Sequence, residues 1–165
     1  MHIASKRIVN ASPLIHLVDL GLIDLLNEPE VDVIVPDAVI DELSRLNPND
    51  PAVVAVRSQP WIQIATVSPI PQVVKDWNLG AGESAVLALG LAEATSHVEV
   101  VLEDQKARRC AASLGIPTRG TLSLILIARH TGKVVAVKPL LDQLRAGGMH
   151  LTDKLIAQVL TVAGE

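Results

Sequence analysis

At 165 residues, 49% of them hydrophobic, the chain is about the size of one domain and can bury roughly 70% of the surface its unfolded form exposes. A formal net charge of -4 excludes a globally basic nucleic-acid binder, so contact with RNA or DNA has to come from a local patch or through bound metal. Two tryptophans with no Phe or Tyr leave few platforms for stacked bases, which disfavours a module that reads single strands on an aromatic sheet.

Short apolar runs alternate with longer amphipathic ones, the rhythm of a parallel sheet covered by helices. The predicted strands are Ile8–Asn10, Val31–Val35, Ile62–Val67, Glu99–Leu102 and a weaker one at Ile116–Thr118. Ser12 can cap a first helix with Pro13 in its first position, ending at Gly21, and a short helix follows over Leu22–Leu26. Pro36-Asp37 opens a helix to Leu46, stopped by Asn47-Pro48-Asn49-Asp50-Pro51, after which Asp50 caps Pro51–Arg57. The run Gly80–Ser84 starts a helix to about Ala94, Asp104 one through Leu114, and Gly120-Thr121 one to about Gly132. Helices at Pro139–Ala146 and Asp153–Ala163 complete the chain. Without a repeat or low-complexity linker, residues 1–165 read as a single domain.

The lone Cys110 cannot form an intramolecular disulfide, and the opening MHIASKRIVN contains no long apolar stretch, so a cytoplasmic protein is expected. Charged or turn residues interrupt every apolar run well before the ~20 residues a membrane span requires. No membrane partner is therefore expected. The high apolar content and a mean hydropathy of +0.39 predict a homodimer.

Four acid or acid-like side chains stand beside strand ends or on the helices that follow: Asn10, Glu42, Glu83 and Asp104. Asn10 closes the first strand and Asp104 follows Val100-Val101-Leu102, where open α/β sheets form their sites. Glu42 shares a helical stripe with Val39 and Leu46, and Glu83 with Val86, Leu87 and Gly90, so both should turn inward. Crowded carboxylates repel and are kept by a metal, a basic partner or a shared proton. Oxygen donors suit Mg²⁺ or Mn²⁺, with the remaining positions left to water and substrate phosphate.

Each residue also has a plainer reading. Glu83 gains from the helix dipole in the first turn of its helix, Glu42 can pair with Arg45, and Asp104 can be a cap bonded to Arg108. Asn10 alone is a turn residue. Ser12 and His16 lie four apart, but the sequence locates neither an orienting acid nor an oxyanion hole for them. His2, His97, His130 and His150 lack ligand spacing, Cys110 on its Ala-rich helix reads as core, and Gly80-Ala81-Gly82 lacks the Gly-Lys-Ser/Thr ending of a phosphate loop. Lys106, Arg108 and Arg109 form a basic cluster after Asp104. With the Arg119-Gly120-Thr121 helix start, they are candidates for holding substrate phosphates. A phosphoacceptor receiver domain would need paired acids after the first strand, and Asn10-Ala11-Ser12 supplies none.

The segments IVNASPLIHL, IVPDAVIDEL, LGAGESAVLAL, VLEDQKARRCAASLGIP and GTLSLILIARHTG, in this order and spacing, resemble the PIN-domain superfamily nearly end to end, and within it the VapC-like branch. The resemblance implies an α/β fold, a three-layer α/β/α domain with a central parallel sheet, and metal-dependent endoribonuclease chemistry of the toxin type. It implies that Asn10 stands where the first aspartate is usual, with Ser12 as its supporting hydroxyl. Glu42, Glu83 and Asp104 then fall at the second, third and fourth acids, with Glu103 an adjacent substitute for the fourth. The implied cofactor is Mg²⁺ or Mn²⁺, and the implied partners are RNA, a small antitoxin protein and a second copy of the chain. The alternative is a catalytically weakened module that binds RNA or a protein without cutting, because Asn10 removes one negative charge and cannot serve as a base.

Overall fold

The computed structural model describes residues 4–45, 47–93 and 97–165. Its frame is a five-stranded, all-parallel sheet in the order β3-β2-β1-β4-β5, made of β1 (Lys6–Val9), β2 (Asp32–Pro36), β3 (Ile62–Ala65), β4 (Val98–Val101) and β5 (Thr118–Arg119). Helices cover both faces, giving a three-layer α/β/α architecture. Among the described residues the helices are α1 (Ala11–Asp19), α2 (Asp37–Ser44), α3 (Pro51–Ser58), α4 (Gln72–Lys75), α5 (Ala81–Ala92), α6 (Gln105–Ser113), α7 (Thr121–His130), α8 (Lys138–Ala146) and α9 (Asp153–Ala163). None of them is long and apolar enough to cross a membrane.

A parallel sheet covered on both sides needs strands that are apolar on both faces, and the central strands comply. Ile8, Val9, Val33, Val35, Val100 and Val101 are all fully buried, each contributing roughly 1.5–3 kcal/mol of transfer free energy. The buried exceptions are Arg7 and Glu99, which face each other in the β1–β4 register and satisfy one another at 2.6 Å. Arg7 also donates to the Leu26 carbonyl at 2.8 Å and meets Glu28 at 3.2 Å.

Strand order fixes where a site can form. From β1 the chain steps outward to β2 and β3, returns to the far side of β1 for β4, and continues to β5. The reversal leaves a crevice at the carboxyl ends of β1 and β4, the position at which open α/β sheets bind ligands. Asn10 leaves β1 there, its N–H held by the Val101 carbonyl at 3.1 Å.

Several element boundaries differ from the sequence expectations. The first helix starts at Ala11, not at Ser12-Pro13, with Asn10 in the capping position at ψ 173°. Pro13 is tolerated as the third helical residue because the first-turn N–H groups have no intrahelical partner anyway. Leu22–Leu26 is a tight 3-10 turn over Ile23–Leu26, not an α-helix. β1 begins earlier than expected because pairing with Glu99 lets Arg7 stay in the ladder, and β4 begins one residue earlier, at Val98. β5 falls at Thr118–Arg119 instead of Ile116–Thr118, and the four-residue α4, flanked by Pro71, was not foreseen. The expected helix ends at Leu46 and Ala94, like His2, lie outside the described residues.

Candidate functional site

Asn10 sits at the base of the crevice with 2% of its surface exposed. Its backbone geometry is that of a helix cap, yet its side chain makes no capping bond. Instead Nδ2 donates to Glu83 Oε1 at 3.0 Å, while Oδ1 is buried without a donor. An unpaired buried carbonyl oxygen costs roughly 1–3 kcal/mol and calls for an explanation such as an ion or water.

Glu83 reaches Asn10 because α5 starts at the mouth of the crevice. Gly80 takes the capping position and Ala81, Gly82 and Glu83 form the first turn. At Gly82 the backbone comes close to the site. A Cβ on it would overlap Glu42 Oε2 and lie 3.1 Å from Asn10 Oδ1. Glycine therefore keeps a space open that is bordered by these two oxygens. Glu42 is exposed as a residue, so the inward turn expected of it is realised only by its carboxylate tip. Burial pushes the Glu42 carboxyl above its ordinary value, the neighbouring Glu83 charge pushes the same way, and Arg45 pulls it back.

Asp104 stands across the crevice at the start of α6. Its Oδ1 accepts from Ala107 N at 2.8 Å, so it caps α6 and is not bonded through its carboxylate to Arg108. It shares with Glu83, Gly80 and Lys106 a cavity of about 200 Å³. The links are thus Asn10 with Glu83, Glu83 with Glu42, and Glu83 with Asp104 through this cavity. Among the described residues no three His, Cys, Asp or Glu side chains close into a cation-sized cluster by themselves.

The remaining candidates are placed differently. Ser12 is half-buried in the first turn of α1. Lys106 Nζ donates to the Asn78 carbonyl at 3.3 Å, on the rim of the Asp104 cavity. Arg108 Nη1 lies against Gly120, within 3.1 Å of where a Cβ would stand. Arg119 points its guanidinium back along the sheet to Glu99 Oε2 at 2.9 Å, which draws it away from the crevice. Glu103 accepts from Thr121 N at 2.7 Å and from the Thr121 hydroxyl, capping α7 from the neighbouring strand's end. Cys110 is buried in the core, and burial pushes its thiol up.

Sequence reasoning missed the roles of Gly82 and Glu103. A glycine one residue before a candidate acid was a usable signal for close approach. Glu103 gave no comparable signal, because its partner lies 18 residues away.

An α/β/α domain with an amide and carboxylates at its switch point belongs to the class of folds that present oxygen donors at one sheet edge. The family DUF3368, described as a PIN domain, matches residues 6–165, and the chain belongs to it. Its theme is nuclease and nucleic-acid-binding chemistry, generally with divalent metals. No curated protein matches the chain.

Proposed function

We propose that the chain is a Mg²⁺- or Mn²⁺-dependent endoribonuclease of the toxin type, of the VapC-like kind, acting as one PIN-like domain over residues 1–165. The observation that carries this reading is the buried, donor-free Asn10 Oδ1 facing the gap at Gly82 beside Glu42 Oε2. Amide and carboxylate oxygens fit a hard divalent cation, and a gap lined by them is disfavoured for anything apolar. Asn10, Glu42 and Glu83 would hold the ion, with Asp104 facing it across the cavity. A divalent cation supplies a lowered water pKa and positive charge against a phosphodiester. Asn10 Nδ2 fixes the direction of Glu83 Oε1 and leaves Oδ1 as the donor atom. The amide cannot take up a proton, so proton transfer falls to the carboxylates. Lys106, at the cavity rim, is suited to a substrate phosphate, with Arg108 nearer Gly120 and Ser12 in the first turn of α1.

A cytoplasmic homodimer, which the lone cysteine and the apolar content support, silenced by a small antitoxin, which the sequence resemblance implies, completes the proposal. The second reading, a module that binds RNA or a protein without cutting, is favoured by one specific observation: Asn10 brings no negative charge to the site, and its amide donates to Glu83 Oε1. Cleavage of a mixed RNA pool with and without chelator separates the two, using the natural chain, Glu83→Gln and Asp104→Asn. Chelator-sensitive cleavage abolished in both variants supports the ribonuclease. Absent or chelator-insensitive cleavage by the natural chain removes it.

A further inference from the structure

Beside the acidic site lies a second, larger cavity of about 470 Å³ between α2, α4 and α5, inside the ~300–1,000 Å³ range of small-ligand sites. We propose that it receives one unpaired nucleobase of an RNA strand whose phosphates pass Glu83 and Asp104. This rests on reading that site as one that handles RNA.

Three features argue for a base. Asn78 and Leu79 line both cavities, so the two adjoin across these residues, an apolar slot on one side and a charged pocket holding Glu83, Asp104 and Lys106 on the other. A ligand that occupies both is apolar and flat at one end and charged a short distance away, as a nucleotide is. The walls are aliphatic, formed by Val67, Ile70 and Leu79, and the small side chains of Ala38, Ala81 and Ala85 leave the slot its width. Ser84 and Asn78 contribute polar atoms able to meet a base edge, and Lys75 is the one ionisable side chain among the described lining residues. That sign suits a strand carrying phosphates.

The shared wall is held in place. Asn78 turns the chain between α4 and α5 at φ 52°, a left-handed conformation that Asn tolerates better than most side chains. Its N–H bonds to the Lys75 carbonyl at 2.9 Å, and its own carbonyl accepts from Lys106 at 3.3 Å. The same lysine that rims the acidic cavity therefore braces the slot. Aliphatic walls predict size selection more than base identity, because a base lacks the stacking platform that aromatic modules provide.

The test uses the full chain and an uncleavable, 2′-O-methyl single-stranded oligonucleotide of about five nucleotides, short enough to occupy one register. A series carries one abasic residue at each position in turn. Fluorescence anisotropy in Mn²⁺ is compared for the natural chain, Ala81→Leu and Ala81→Ser. Ala81 is exposed at the start of α5, so Leu narrows the slot without entering the core. Removing the base at one position should loosen the natural chain and Ala81→Ser about tenfold, with little effect elsewhere. Ala81→Leu should bind every member of the series with that same loosened affinity. A folded Ala81→Leu that binds like the natural chain overturns the proposal, as does a flat abasic profile or no binding at all by the natural chain. If Ala81→Leu fails to fold, the profiles of the natural chain and Ala81→Ser decide by themselves. One-position sensitivity without cleavage of ordinary RNA sustains the slot and removes the ribonuclease. Cleavage with a flat profile does the reverse.

Discussion

The hydrogen bond from Asn10 Nδ2 to Glu83 Oε1, 3.0 Å long, ties the end of β1 to the first turn of α5 across 73 residues of chain. It also sorts the amide's two ends. The donor is satisfied within the protein, and the acceptor is left buried and facing the Gly82 gap.

Gly82→Ala tests what that gap is for. The added methyl overlaps the tip of the Glu42 side chain, which can swing toward solvent, and crowds Asn10 Oδ1 at 3.1 Å, while alanine is the better helix former by roughly 0.5–1 kcal/mol. Urea denaturation should show stability unchanged within about 1 kcal/mol. Mn²⁺ affinity by calorimetric titration should fall about tenfold or more, because one oxygen is displaced and the space is filled. A variant that binds Mn²⁺ as the natural chain does would show that the cation sits elsewhere.

Glu165 gives the protein a pH-dependent fastening. Its carboxylate accepts from Val137 N at 2.7 Å, Lys138 N at 3.1 Å and Arg129 Nε at 3.3 Å. The Val137 and Lys138 backbone bonds, ahead of Arg129, hold its carboxyl below the ordinary value. A depressed carboxylate contributes stability that is complete above the ordinary glutamate range and is lost as pH falls through the depressed value. Glu165→Gln should therefore lower the melting temperature at neutral pH, and the difference from the natural chain should shrink on acidification. A difference independent of pH between about pH 7 and pH 3 would refute this.

The parts of the fold legible in the sequence are those where one residue's surroundings are its chain neighbours. Asp50 and Asp104 cap α3 and α6 as their positions predict, and α9 spans Asp153–Ala163 as expected. What the sequence concealed depends on strand order. Arg7 looks like a strand breaker until β1 and β4 are placed side by side, when it and Glu99 become each other's partners. Arg119 reads as a phosphate ligand from its helix-start position, but β5 lies beside β4 and Glu99 takes its guanidinium. At the candidate site, chain position marked Asn10 and Asp104 as strand-end residues. The Asn10–Glu83 bond and the Glu42–Gly82 approach arise only when α5 docks on the sheet.

The Arg7–Glu99 pair should be costly to break from one side and cheaper to replace whole. Both side chains are nearly inaccessible, so Glu99→Leu leaves a buried guanidinium short of its main partner, at a cost of about 3–5 kcal/mol. Arg7→Met together with Glu99→Leu should recover much of that, because Glu28 and Arg119 retain about a third and a quarter of their side-chain surface and can turn to water. Urea midpoints of the two singles and the double form the cycle. If the double loses as much as the two singles added together, the pair is not coupled as the geometry requires.

Asn10→Asp asks whether the site runs on reduced charge. The substitution removes the Nδ2 donor and sets a carboxylate against Glu83 Oε1 at a position with 2% exposure. In chelator it should destabilise the chain by about 1–3 kcal/mol, the cost of an unpaired buried polar group, or more. Mn²⁺ should reverse the order. A cation bound only by the folded state stabilises it by ~2.7 kcal/mol at a hundred times its Kd, and the extra carboxylate should lower that Kd below the natural chain's. Melting temperatures in chelator and across a Mn²⁺ series, for both proteins, read the two effects separately from catalysis. RNA cleavage should rise in parallel with the Mn²⁺ shift. A variant destabilised in chelator and unmoved by Mn²⁺ would mean that the Asn10 oxygen faces no cation, and the weakened binding module would then be the better account of this chain.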